Sequence, residues 1–116
     1  MKIFGSSEAF LVGDEIEWEV VDEGVKRKIT GYDDTIMMVQ VAFEKGAVGS
    51  MHKHYHAQVS YVMKGQFEVK IGDGLKIMKE GDSFYVAPHV WHGVVCLEEG
   101  ILIDVFSPIR EDFVQK

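Results

Sequence analysis

Between Glu15 and Ser107 apolar and polar residues alternate with a period of two, in runs that turn-forming residues cut short again and again. In EIEWEVV (15–21), Ile16, Trp18 and Val20 share one parity and Glu15, Glu17 and Glu19 the other, the pattern of an antiparallel strand with one face buried. VKRKIT, TIMMVQVAFE, MHKHYH, QVSYVMK, QFEVKI, LKIMK, SFYVA, HGVVCL and ILIDVFS also read as strands. GYDD, EKGAVG, KGQ, GDG, KEGD, APHVW and EEG stand between them as breakers. No helix of any length is predicted, although SPIREDF near the C-terminus can close a turn. So many short strands in one chain must hide their sheet edges, as a β-sandwich or a small barrel does.

At 116 residues and 47% hydrophobic content, the chain can bury a single core and is expected to form one domain. A formal charge of −7, from 19 acidic and 12 basic residues without a Lys/Arg cluster, argues against a nucleic-acid partner. MKIFGSSEAFLVGDE has one basic residue and no apolar stretch of leader length, and no later run approaches a membrane span, so a cytoplasmic protein without membrane contact is expected. Cys96 stands alone, which rules out an internal disulfide, and its apolar and acidic neighbours do not activate a thiol. Met37, Met38, Met51, Met63 and Met78 read as core or pocket lining.

The five histidines, His52, His54, His56, His89 and His92, all fall within residues 52–92. On a strand, positions i and i+2 project to one side, so His52 and His54 can meet one ion if their face looks into a barrel. Gln58 has the same parity, and His92 on a later strand can close the site opposite them. A solvated strand face shows the same period, so alternation by itself leaves both readings open. His56 is read as a loop or pocket-rim histidine rather than a further ligand, and His89 as a turn residue near the mouth.

Gly46, His52, His54, Gln58 and Gly65 resemble the first motif of the cupin family, a glycine followed six residues later by HxH, a carboxylate and another glycine. EGDSFYVAPHVWHGVVC resembles the second, with Gly81 as its glycine and His92 as its ligand. Ala87, His89 and Cys96 stand where the family often has proline, glycine and asparagine. The resemblance covers residues 25–107 and implies a double-stranded β-helix, or jelly-roll barrel. It leaves residues 1–24 as an N-terminal extension and 108–116 as a tail. It also implies one divalent metal ion on His52, His54, Gln58 and His92, with nickel, manganese, iron, zinc and cobalt all open. The departure is Gln58, where the family usually has glutamate. Four neutral ligands leave the ion's double charge intact, which favours an anionic ligand such as a substrate carboxylate.

In GILIDVFSPIREDF (100–113), both faces of the last strand are largely apolar, leaving Asp104 as a buried carboxyl and a candidate acid or base. Arg110, beyond Ser107 and Pro108, can fold back over the mouth to grip a carboxylate, or pair with Glu111 or Asp112 at the surface. IDVFSPIREDF, GVKRKI (24–29) and HKHYHAQ (52–58) are together similar to the uronate-processing cupins of the pectin degradation protein KdgF family, from Trp18 to Phe113. That resemblance implies an isomerase that opens 4,5-unsaturated uronate monosaccharides, released by pectin or alginate lyases, to linear 5-keto-4-deoxyuronate. It assigns Asp104, Phe106 and Arg110 to catalysis and substrate binding. A metal-dependent cupin oxygenase acting on a small organic acid and a non-catalytic ligand-binding cupin are the alternatives. Small cupins commonly pair, and Phe4, Phe10 and Trp18 offer apolar surface, so a homodimer is expected.

Overall fold

The computed structural model describes residues 4–115. A 3-10 turn at Gly13–Glu15 precedes eight strands: β1 (Glu19–Asp22), β2 (Val25–Asp33), β3 (Ile36–Phe43), β4 (Val48–His52), β5 (Ala57–Ile71), β6 (Gly74–Lys79), β7 (Ser83–Val86) and β8 (His92–Ser107). One short helix, α1 (Glu111–Val114), follows where a turn was expected. No helix among the described residues is long and apolar enough to cross a membrane.

All strand pairing is antiparallel, and the two long strands, β5 and β8, organise it. They pair along their length, from Ala57↔Ser107 to Ile71↔His92. Their first and second halves have different neighbours. One half-barrel runs β1, β2, β3, the C-terminal half of β8, the N-terminal half of β5, then β7. The other runs β4, the N-terminal half of β8, the C-terminal half of β5, then β6. The two halves close over a shared core of Val25, Phe43, Val62, Phe67, Val69, Cys96 and Leu102, in which Phe43 meets Phe67 edge-on at 5.2 Å. A second cluster, Met37, Val39, Phe106 and Ile109, fills the end that carries the C-terminal segment. This is the jelly roll that the cupin-like motifs imply.

The runs KGQ and EEG, expected as breaks, are instead bends inside β5 and β8. The ladder shifts register there, between Val62 and Phe67, and the strands turn together from one half-barrel to the other. Two glycines make the crossing possible. A Cβ on Gly65 (φ +86°) would lie 2.5 Å from the Glu99 carbonyl oxygen, and one on Gly100 would lie 2.3 Å from that of Lys64.

Three further expectations are corrected. EIEWEVV is not one half-buried strand: β1 starts at Glu19, and Val20 is 78% exposed. As an edge strand β1 has β2 alone as partner among the described residues, and none of them covers Val20 as a second layer. Trp18 is half-buried, with the ammonium groups of Lys26 and Lys28 at 4.8 and 4.6 Å from its ring, and Phe4 is likewise half-buried, so of the three N-terminal aromatics only Phe10 is exposed. Among the methionines, Met37 and Met78 contribute to the core, whereas Met38, Met51 and Met63 are exposed on outward-facing positions.

Gly65→Ala combines an unfavourable left-handed backbone with a backbone clash, so it is expected to cost on the order of 3 kcal/mol. Urea unfolding of the two proteins measures this directly.

Candidate metal centre and active-site cavity

The strand expected over MHKHYH ends at His52, and His54 lies in the loop before β5. The pair therefore converges by a turn of the chain and not by strand parity. His52 pairs in register with His92, the first residue of β8, and their rings lie 4.3 Å apart. His54 completes a triangle, 5.4 Å from His52 and 4.9 Å from His92 between ring centroids. One nitrogen from each ring falls within 4.8 Å of the others, so the three are positioned to hold a metal ion.

Backbone carbonyls orient all three rings. Nδ1 of His52 donates to Ser50 O at 2.8 Å, Nδ1 of His54 to His56 O at 3.1 Å and Nδ1 of His92 to Val90 O at 2.9 Å. A carbonyl oxygen only accepts, so each Nδ1 carries the hydrogen, which leaves the lone pair of a neutral ring on Nε2. Burial, reinforced by Arg110, pushes His54 down to about 4, and burial likewise lowers His92. Both rings are thus neutral near pH 7, as ligation requires. The buried Nε2 of His92 has no hydrogen-bond partner among the described residues, and Nε2 of His54 faces another acceptor, Gln58 Oε1, at 3.1 Å. An orphaned lone pair beside two opposed acceptors is a donor set that fits a cation.

Gln58 belongs to a chain that continues to Asp104. On β5 the residues Gln58, Ser60 and Val62 point inward and are buried; opposite them on β8 stand Phe106, Asp104 and Leu102. Gln58 Nε2 donates to Ser60 Oγ at 2.9 Å, and Ser60 Oγ donates to Asp104 Oδ1 at 2.6 Å. The serine has one proton and gives it to the aspartate, so its neighbour at position 58 must be a donor. An amide supplies that hydrogen and still turns its oxygen towards His54, whereas an ionised glutamate would oppose a second acceptor to Ser60. The chain gives a local reason for glutamine at position 58.

Burial raises the Asp104 carboxyl to about 6, against the opposing pull of the Ser60 hydrogen bond and the Arg110 charge. Asp104 lines a cavity of about 80 Å³ together with His52, Gln58, His92, Phe43 and Phe84. A carboxyl raised towards neutrality thus shares one space with two of the three clustered histidines, His52 and His92.

Phe106 is 3% exposed and belongs to the second core cluster, with its ring edge-on to His54 at 5.7 Å. The Arg110 guanidinium lies 5.1 Å from the Phe106 ring, but a bidentate pair with Asp112, at 3.1 and 2.9 Å, holds it. Arg110 thus combines parts of the two arrangements expected for it: it pairs with Asp112, but its side chain is only 12% exposed and lies over the Phe106 and Phe113 rings instead of at the surface. His89 sits in the turn at residues 88–89 with φ 65°, as read from the sequence. His56 is outside the ligand cluster, but it is buried and not on a rim. Ser60 was missed altogether. Its signal, the parity it shares with Gln58, acquires meaning only once β5 is paired with β8.

The raised carboxyl sets a pH dependence of stability. The folded-state value lies above the unfolded one, near 3.9, so ionised Asp104 destabilises the fold. That penalty is absent below about pH 4, grows between about 4 and 6, and is complete above about 6. Asp104→Asn is therefore expected to stabilise the metal-free protein by on the order of 2 kcal/mol at pH 7.5 and hardly at all at pH 4, by urea unfolding at each pH.

The family model described as Cupin domain matches residues 39–106. The pectin degradation protein KdgF of Dickeya dadantii (strain 3937) is 49% identical over 107 residues, covering 90% of this chain and 97% of that protein. A crystal structure of an RmlC-like cupin from Shewanella frigidimarina NCIMB 400 superposes with a TM-score of 0.93 at 48% identity, covering 95% and 99% of the two chains. The structure of KdgF from a Halomonas species superposes at 0.88 with 38% identity, covering 92% and 99%. With a bent two-strand ladder, three converging histidines and these relatives, the chain belongs to the cupin family, among the proteins related to pectin degradation protein KdgF.

Proposed function

We propose that this protein is a metal-dependent sugar-acid isomerase that converts 4,5-unsaturated uronate monosaccharides, from pectin or alginate lyase action, to linear 5-keto-4-deoxyuronate. The observation that carries this reading is the Asp104 carboxyl, held by Ser60 and raised to about 6, in the same cavity as His52 and His92 of the histidine cluster. The relatives named for pectin degradation supply the substrate class.

The reaction is a redistribution of one proton. The bond from the ring oxygen to C1 breaks, the C1 hydroxyl loses its proton to become an aldehyde, C4 gains a proton, and C5 becomes a ketone. Atoms balance without an external oxidant or reductant. One carboxyl that can both take and give a proton near neutral pH suffices, and Asp104 is placed in that role. His52, His54, Gln58 and His92 would hold the divalent ion, whose Lewis acidity and undiminished double charge favour the substrate's oxygens. Arg110 would exchange Asp112 for the substrate carboxylate, keeping a bidentate geometry, while Phe106 forms an apolar floor that excludes water. Ser60 holds Asp104 in place through its hydroxyl.

In this reading residues 1–116 form one cupin domain, with residues 1–24 as an extension and 108–116 as a tail. It acts as a cytoplasmic homodimer, and the exposed Phe10, Val59, Tyr61 and Tyr85 provide apolar surface for pairing.

Incubation with unsaturated galacturonate, followed by the ultraviolet absorbance of its enol ether, tests the proposal. The metal-loaded protein is expected to accelerate the decay, and Asp104→Ala to lower kcat by about 100-fold or more at unchanged metal content. Decay no faster than in buffer with metal bound would overturn it. Sedimentation equilibrium should return twice the mass of one chain.

A further inference from the structure

His56 is the buried histidine that the metal cluster does not use. Its Nε2 lies 3.0 Å from Ile109 O and 3.2 Å from Glu111 Oε1, and since the carbonyl only accepts, Nε2 carries the hydrogen. The Tyr55 ring stacks on it, with centroids 4.0 Å apart and planes at 26°. The Tyr55 hydroxyl donates to the other oxygen of the same carboxylate, Glu111 Oε2. Two adjacent residues of the loop between β4 and β5 thus meet one glutamate on α1, Tyr55 through a hydrogen bond to one oxygen and the His56 ring nitrogen in close contact with the other.

Each end of this clasp adjoins a site residue. On the loop side, the His56 carbonyl accepts the Nδ1 hydrogen of His54, which aims the ring. On the other side, Arg110 lies between Ile109 and Glu111, the two residues that His56 holds. Neither piece is part of the strand ladder: residues 53–56 connect β4 to β5, and the segment from Pro108 onward has left β8. Backbone bonds from His89 N to His54 O at 2.7 Å and from Ile109 N to Asp34 O at 3.3 Å tie each piece to its own neighbours, but not to the other.

We infer that His56, with Tyr55 and Glu111, is a positioning unit that sets the placement of His54 relative to Arg110. It locks the metal-binding side of the cavity to the side that takes the substrate carboxylate. What Arg110 binds rests on the proposed uronate reaction; the link from His56 to His54 does not.

The test uses the full chain and the variants Glu111→Ala, Glu111→Gln and His56→Phe. Three quantities are measured: zinc affinity of the metal-free protein against a chromophoric chelator, KM and kcat on unsaturated galacturonate, and thermal unfolding. Glu111→Ala is expected to raise KM about tenfold with kcat changed less than about threefold, and His56→Phe to do the same and to weaken zinc binding about tenfold, in the range of outer-shell effects. Glu111→Gln keeps an acceptor for His56 and a polar group for Tyr55, and should return KM to within about twofold of wild type. KM and zinc affinity within twofold of wild type in both Glu111→Ala and His56→Phe, whether or not unfolding shifts, would overturn the inference. If the wild type fails to open unsaturated galacturonate, the proposed reaction falls, and zinc affinity alone decides the role of His56.

Discussion

The ladder between β5 and β8 is the constraint to which the rest of the molecule is referred. Its register brings Ser60 opposite Asp104 and Gln58 opposite Phe106, and at its far end Ile71 opposite His92. Because both strands bend at the same place, the inward faces of their two halves look at each other across one core. That bend depends on Gly65 and Gly100, where a side chain on either would run into the backbone of the other strand. A slip of one residue between β5 and β8 would turn Gln58 and Ser60 to the face opposite Asp104 and break the Ser60–Asp104 hydrogen bond, so the site inherits its precision from the core packing that resists the slip.

Within that frame the electrostatics follow from a small number of protons. Three imidazoles, each committed by a backbone carbonyl to donate from Nδ1, present lone pairs from Nε2. Ser60 spends its single hydrogen on Asp104, so its neighbour at position 58 acts as the donor, a role the Gln58 amide fills. The neutrality of Gln58 and the raised carboxyl of Asp104 are thus two ends of one hydrogen-bonded chain. The histidine cluster and a single raised carboxyl lie at the two ends of that chain, close enough for a cation site and a proton-transfer group to serve one cavity.

The remaining site groups come from irregular segments, and there side chains replace the ladder. His54 sits in a loop and Arg110 beyond the last strand, each positioned by contacts among Tyr55, His56, Ile109, Glu111, Asp112 and Phe113. Loops carry function on a rigid scaffold in many folds. Here the loop and the tail also support each other.

Strand alternation and closely spaced turns made an all-β sandwich or barrel legible from the residues, since period is a local property, whereas the jelly roll and the grouping of His52, His54 and His92 came from the resemblance to the cupin motifs. Asp104 was also legible, as a carboxyl on a strand apolar on both faces. Tertiary structure decided that β5 and β8 run unbroken through KGQ and EEG, because a bend and a break use the same residues and only a paired partner distinguishes them. It showed that Val20 is exposed on an edge strand, and that His56, whose ring stays edge-on to His54 at 5.2 Å, directs its Nε2 to Ile109 O and Glu111 and not into the ligand cluster. It also supplied Ser60, whose hydroxyl is ordinary until a residue 44 positions away accepts its proton. Sequence carries what a residue can do; which partner it does it with is set by register and chain crossing, and these are long-range.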